Sequence, residues 1–171
     1  MNFEEIEVKL NNPYPEIVNA TMDRETVAIL KNLATSKTGE LGGILQYIYQ
    51  AVVSNKIDED ISSIFEEIGI VEMMHLDMLM KAIMDFGGTP RYEDAMGNMF
   101  NVAGINYSPK LKDMLENNIK DEQMGIMDYS KAAEKVKNQS LKDLLNRIKL
   151  DEELHLEILK KILNNVTFMS V

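Results

Sequence analysis

The sequence predicts an all-α protein, a four-helix bundle with a long crossover between its second and third helices. Three observations carry that expectation. Apolar residues recur at helical spacing over most of the chain, no stretch alternates as a strand would, and Glu-x-x-His occurs twice, as Glu72–His75 and Glu152–His155. On a helix, residues i and i+3 share a face, so each motif aims one carboxylate and one imidazole the same way. These two are the only histidines in the chain. A single histidine on an apolar face reads as an ordinary core residue; two in matched motifs read as ligands.

The elements follow in order. Residues 1–24 hold Asn11-Asn12-Pro13-Tyr14-Pro15, which blocks regular helix and predicts an extended N-terminal arm ahead of a bundle over residues 25–171. Asp23 is placed to cap a short helix over roughly Arg24 to Leu33. A glycine-broken but periodic segment continues to about Asn55 with the stripe Glu40, Ile44, Tyr47, Ala51. The second long helix is expected from Asp58 to Phe86, with Asp58, Glu59 and Asp60 in a first turn that favours negative charge and Gly87-Gly88-Thr89-Pro90 as its stop. Its stripe is Ile61, Phe65, Ile68, Glu72, His75, Leu79, Ile83, Phe86.

From residue 88 to about 107 no periodicity survives, and so long an irregular stretch inside one domain needs a reason. A crossover supplies it, since a long connection lets the third helix start at the same end as the second. Ser108-Pro109 predicts the third helix's N-cap and first position, with the stripe Leu115, Ile119, Glu122, Ile126, Tyr129, Ala133, Val136. The fourth helix is expected from Ser140 to Asn165 with the stripe Leu141, Leu145, Ile148, Glu152, His155, Leu159, Ile162.

The halves repeat each other. Glu40-Leu-Gly-Gly-Ile-Leu-Gln-Tyr47 aligns with Glu122-Gln-Met-Gly-Ile-Met-Asp-Tyr129, and the segment from Glu72 to Lys81 aligns with Glu152 to Lys161. The glutamates stand 32 residues apart in the first half (40 to 72) and 30 in the second (122 to 152). Two hairpins of one design should therefore gather four glutamates at mid-length of their helices, together with two histidines. Four such carboxylates without counter-charge would cost several kcal/mol each or stay protonated. Two divalent cations would balance them. Carboxylate-rich ligation with one imidazole per ion suits iron or manganese, and ligand identity alone does not select between them; iron is the first expectation and manganese the second.

Composition narrows the partners. With 171 residues, one domain can bury roughly 70 per cent of its unfolded surface. No cysteine is present, which leaves no disulfide, thiolate metal site or thiol nucleophile. The 28 acidic and 18 basic residues give a net charge of −10, which argues against nucleic acid as partner and is compatible with metal cations; a merely solubilising acidic surface is the competing reading. The 13 methionines read as core filler before haem ligands. The acidic start and the lack of any apolar run of roughly 18 residues argue against a signal peptide and a membrane span, so a cytoplasmic protein is expected.

With Glu40, Glu72-x-x-His75, Glu122 and Glu152-x-x-His155 in place, the chain resembles the ferritin-like superfamily over residues 25 to 165, nearest to rubrerythrin-type proteins and their relatives among bacterioferritins and manganese catalases. The resemblance implies a ferritin-like bundle in which Glu40 and Glu122 each bind one ion, Glu72 and Glu152 bridge the pair, and His75 and His155 each bind one. It implies a peroxide- or dioxygen-reducing oxidoreductase, with a ferroxidase or iron-storage protein as the alternative and a manganese catalase-like enzyme or a non-catalytic bundle further off. The rubredoxin module of a rubrerythrin proper and the fifth helix of a cage-forming ferritin are not seen, so a separate electron-donor protein and a homodimer are expected. Tyr47 and Tyr129, two turns beyond Glu40 and Glu122, are candidates to hydrogen-bond ligand carboxylates, and Asp151 to orient a ligand histidine. Core tyrosines and a surface carboxylate are the competing readings; Glu153 and Asp77 read as surface.

Overall fold

In the computed structural model, residues 6–168 are described. An irregular arm precedes five α-helices: α1 Arg24–Thr35, α2 Glu40–Ser54, α3 Glu59–Asp85, α4 Leu111–Lys135 and α5 Gln139–Phe168, with one 3₁₀ turn, Val102–Gly104, in the crossover. No strand occurs among the described residues beyond a single bridge between Glu93 and Met99. α2 packs on α3 and α4 on α5, while α1 packs mainly on α3, so α1 and α2 together take the place of one helix of a four-helix bundle.

The helix ends follow local chemistry. The Asp23 carboxylate accepts from the Glu25 and Thr26 amides and starts α1, and Asp58 accepts from the Ile61 amide and starts α3. At the far end of α3, Gly87 takes φ +82°, its amide donates to the Met84 carbonyl, and the Gly88 amide donates to that of Ile83. That is a Schellman closure, for which glycine is the natural residue.

Two boundaries depart from expectation. Glu40 is not at mid-length but the first residue of α2, because the chain leaves helix at Ser36 and re-enters after Gly39. A Cβ on Gly39 would stand 2.4 Å from the Leu33 carbonyl oxygen, so the re-entry closes so tightly on α1 that only glycine fits. The break leaves the Glu40 carboxylate at a helix N-terminus, where the dipole favours negative charge. Ser108 does not cap α4. Its hydroxyl accepts from the Lys110 amide and donates to Asp113, and the helix proper begins at Leu111.

The predicted stripes face inward. Every residue of the α2, α3 and α5 stripes is buried, whereas Ile119 and Ile126 of the α4 stripe are only half-buried. The apolar core falls into two clusters. One holds Leu30, Leu79, Ile83, Phe86, Tyr129, Leu141 and Leu145; the other holds Tyr47, Phe65, Ile68, Leu115, Leu159 and Ile162. Between these plugs lies the polar centre of the bundle.

The crossover is anchored rather than loose. Glu93 is buried and ion-paired with Lys31 at 2.6 Å, and the Thr35 hydroxyl donates to the Glu93 carbonyl. The arm is likewise held down: Arg147 on α5 donates to the Leu10 and Asn12 carbonyls, and Asn138 donates to the Val18 carbonyl. Residues 1–5 of the arm and the last three residues of the chain, 169–171, lie outside the described residues.

Candidate metal centre

Glu40, Glu72, His75, Glu122, Glu152 and His155 meet at the middle of the bundle, all buried, with both histidines fully so. They form two overlapping sets. Glu40, Glu72, His75 and Glu152 each place a donor atom within 4.8 Å of the others, and so do Glu72, Glu122, Glu152 and His155. Only Glu72 and Glu152 belong to both. His75 Nδ1 lies 3.0 Å from Glu152, 3.2 Å from Glu72 and 3.6 Å from Glu40. His155 Nδ1 lies 3.3 Å from Glu72, 3.8 Å from Glu152 and 3.9 Å from Glu122.

The outward ring nitrogens are held from behind. His75 Nε2 faces the Asp151 carboxylate at 3.3 Å, and His155 Nε2 donates to the Val8 carbonyl at 2.9 Å. An acceptor at Nε2 keeps the proton there and leaves the Nδ1 lone pair free for a metal. Asp151 is itself fully buried, accepting from the Tyr14 hydroxyl at 2.6 Å and the Leu10 amide at 2.9 Å and paired with Arg147 at 2.8 Å. The repeat is therefore broken at this point: the residue matching Asp151 in the first half is Val71, and a backbone carbonyl from the arm stands behind His155 instead.

Tyr47 donates to Glu122 and Tyr129 to Glu40, each reaching across from the opposite hairpin. Burial is the main reason both phenols are pushed well above their usual range, with the neighbouring carboxylates adding to it. Burial also pushes Glu40 and Glu122 well above the carboxylate range, and repulsion from Glu72 and Glu152 adds to it. For Glu72 burial works the same way but is outweighed by the adjacent His155 and His75 imidazoles, which hold it well below. Burial disfavours charge on both imidazoles, yet the surrounding carboxylates win and hold them well above the usual range.

The residues fit a pair of divalent cations. Glu152 Oε1 and His155 Nδ1 are buried and make no well-directed hydrogen bond; each meets only another member of the donor sets, His75 Nδ1 at 3.0 Å and Glu72 at 3.3 Å, and a cation between the sets would give both a directed partner. Four carboxylates match the charge of two such ions, and oxygen donors with one nitrogen per set suit iron or manganese.

A cavity of about 640 Å³ reaches this centre from the carboxylate side. It runs between the α1–α2 break and α4 and meets Glu40, Glu72, Glu122 and Glu152, but neither histidine. Glu153 and Asp77 are exposed, as expected of surface residues.

Three features escaped the sequence reading. Tyr14 and Arg147 buttress Asp151, and the arm closes the histidine side. Arg147 stands four residues before Asp151, the spacing of a helical ion pair, which was the available signal. Behind α2, a buried amide cluster of Gln46, Gln50 and Asn118 ties α2 to α4 through bonds of 2.6 to 3.0 Å. Gln46 and Gln50 at i and i+4 on a buried face could have flagged it.

An all-helical bundle that gathers these donors into two overlapping sets is a ferritin-like, dimetal-carboxylate architecture. The family model for rubrerythrin matches residues 31–163, and the chain belongs to the rubrerythrin family. A manganese catalase from Anabaena shares the fold with a TM-score of 0.84 at 20% identity, over 92% of this chain and 80% of that one. A bacterioferritin from Rhodobacter capsulatus, with a metal-free dinuclear site, aligns with a TM-score of 0.72 at 19% identity, over 84% of this chain and 86% of that one. No curated protein matches the chain in sequence. No helix among the described residues is long and apolar enough to cross a membrane.

Proposed function

We propose that the protein is a dimetal oxidoreductase that reduces hydrogen peroxide, with dioxygen as the competing oxidant, and that Glu40, Glu72, His75, Glu122, Glu152 and His155 hold two iron ions. The observation that carries this reading is the pair of overlapping, buried donor sets, open to a cavity on the carboxylate side. Glu72 and Glu152 would be shared between the ions, with Glu40 and His75 completing one set and Glu122 and His155 the other. When bound, a reduced metal pair supplies two electrons together, enough to break an O–O bond without releasing a one-electron radical. Membership of the rubrerythrin family supports the redox class.

The chain's own part is positional. Tyr47 and Tyr129 fix the rotamers of Glu122 and Glu40, while Asp151 and the Val8 carbonyl fix the two rings. The arm keeps water from the imidazole side, and the cavity lets the oxidant in from the other. Protons held on the metal-free carboxyls and imidazoles would leave as the ions enter. Manganese suits the same donors and is the second choice of metal. The same reading calls for a separate electron-donor protein and a cytoplasmic setting. It also calls for a homodimer, for which the exposed apolar residues Ile48 and Val52 on α2 and Ile70 and Met73 on α3 offer a face.

The test is stopped-flow absorbance of protein loaded with two ferrous ions per chain, mixed separately with hydrogen peroxide and with dioxygen. Faster oxidation by peroxide, followed by recovery on adding a reductant, is expected. Continued consumption of ferrous iron under dioxygen would replace this reading with a ferroxidase. Oxygen release from peroxide without any reductant, in manganese-loaded protein, would replace it with a catalase.

A further inference from the structure

The cavity is far larger than hydrogen peroxide or dioxygen requires. A water molecule claims roughly 30 Å³ of liquid, so a cavity of about 640 Å³ exceeds the need of so small an oxidant more than tenfold. It falls instead within the roughly 300–1,000 Å³ typical of sites for organic ligands. Beyond the four carboxylates its lining mixes apolar side chains, Ile29, Leu33, Ile105 and Met124 among them, with polar ones such as Lys37 and Asp128.

Two glycines in that lining have no structural reason to be glycine. Of the four helical glycines, Gly42 is required because a Cβ there would stand 2.9 Å from the Lys37 carbonyl oxygen. Gly69 lets α2 and α3 approach, since its Cβ would lie 3.3 Å from Tyr47 Cβ. Gly43 and Gly125 differ. A Cβ on Gly43 would make only an ordinary 3.7 Å contact with Glu72 Cγ, and one on Gly125 would lie 4.0 Å from Glu152 Oε2. Alanine fits both positions and is the better helix former at each. The two are equivalent in the repeat, three residues after Glu40 and Glu122, and each bares one of the two shared carboxylates to the cavity. Local stability is given up at the two points where a side chain would come between the cavity and the centre.

We propose that this cavity is the binding site for an organic hydroperoxide, ROOH, with its R group against the apolar side chains of the lining and its peroxy end entering through the gap left by Gly43 and Gly125. The inference rests on the peroxide-reducing reading above. Breaking the O–O bond of ROOH to give ROH and water takes two electrons and two protons; the metal pair, when bound and reduced, would supply the electrons. The separate donor returns the two electrons.

Two measurements test it. The first needs no metal: cumyl alcohol, the product of cumene hydroperoxide reduction and itself unreactive, is titrated into the metal-free protein while its thermal midpoint is followed. The second compares single-turnover oxidation of the ferrous-loaded protein by cumene hydroperoxide and by hydrogen peroxide, in the native chain and in Gly43→Ala/Gly125→Ala. Cumyl alcohol should raise the midpoint of the native chain. The double variant should melt higher than the native chain and retain two metal ions, and its cumene-to-hydrogen peroxide rate ratio should fall by about tenfold or more, as one methyl group in a binding site can cause. If hydrogen peroxide oxidises the protein while cumene hydroperoxide does not and cumyl alcohol gives no shift, the cavity is not a substrate site, and only this proposal is lost. An unchanged rate ratio in a folded, metal-loaded double variant would overturn the role of the two glycines. If neither peroxide reacts, the peroxide reading itself falls, and this proposal with it.

Discussion

Glu72 and Glu152 differ from the other four donors in belonging to both sets, and their loss should differ in kind. Glu72→Gln or Glu152→Gln should abolish binding of both ions, whereas Glu40→Gln or Glu122→Gln should leave one ion in place. Metal analysis after equilibrium dialysis distinguishes the two patterns, and equal losses from all four variants would refute the shared roles. Asp151 acts one step further out, through His75. Asp151→Asn keeps the shape but removes the charge behind the ring, and should weaken metal affinity about 10- to 100-fold, the usual effect of losing such a partner. Unchanged affinity, with circular dichroism confirming native helix, would make Asp151 only a structural partner of Arg147, Tyr14 and Leu10.

The arm and the α1–α2 break are the two elements that make this bundle particular. Removing the chain before Leu10 takes away the Val8 carbonyl that fixes His155 and the buried Val8 side chain. Such a truncated protein should melt at a lower temperature and lose affinity first at the ion served by His155 and Glu122. The break carries a separate prediction. Gly39→Ala places a methyl group 2.4 Å from the Leu33 carbonyl oxygen, and overpacking of this kind should destabilise by about 1–3 kcal/mol in urea melts. A neutral effect would mean that Ser36 to Gly39 can re-route without disturbing α1.

Over the whole molecule, stability should depend on pH in opposite senses with and without metal. Burial raises the pKa values of Glu40 and Glu122, and the surrounding carboxylates raise those of His75 and His155 against burial. The folded metal-free state therefore binds those protons more tightly than the unfolded chain, and stability is lost as pH rises above the unfolded values, about 4.3 for Glu and 6.5 for His. Glu72 and Asp151 are shifted down despite burial, by the adjacent imidazoles of His155 and His75 respectively, so stability is also lost as pH falls below about 4. The metal-free protein should be most stable near pH 4 to 5 and measurably weaker near pH 8, by urea denaturation at about those values. Metal ions displace the same protons, so the stabilisation they confer should grow as pH rises. Metal-free stability that is flat or rising from pH 5.5 to 8 would contradict this assignment of protons, at roughly the scale of one pKa unit per 1.4 kcal/mol.

Much of this was legible in the sequence because helical periodicity is local. A stripe such as Ile68, Glu72, His75, Leu79 fixes which face turns inward before any partner is known, and the internal repeat brings two such stripes together. The six central residues, the Schellman stop at Gly87 and the crossover were all readable on those grounds. The sequence reading missed what depends on contacts between distant residues. Nothing near Val8 says that its carbonyl will meet His155, 147 residues away, and nothing near Tyr14 says that it will reach Asp151, 137 residues away. Glycine spacing announced a break near residue 39, but only the close approach to Leu33 placed Glu40 at a helix start rather than mid-helix. The sequence by itself determined the helices and the donor set, because both follow from spacing along one chain. The tertiary structure decided which face of the centre is sealed and which is open, because that depends on how the arm and the α1–α2 break pack across the bundle.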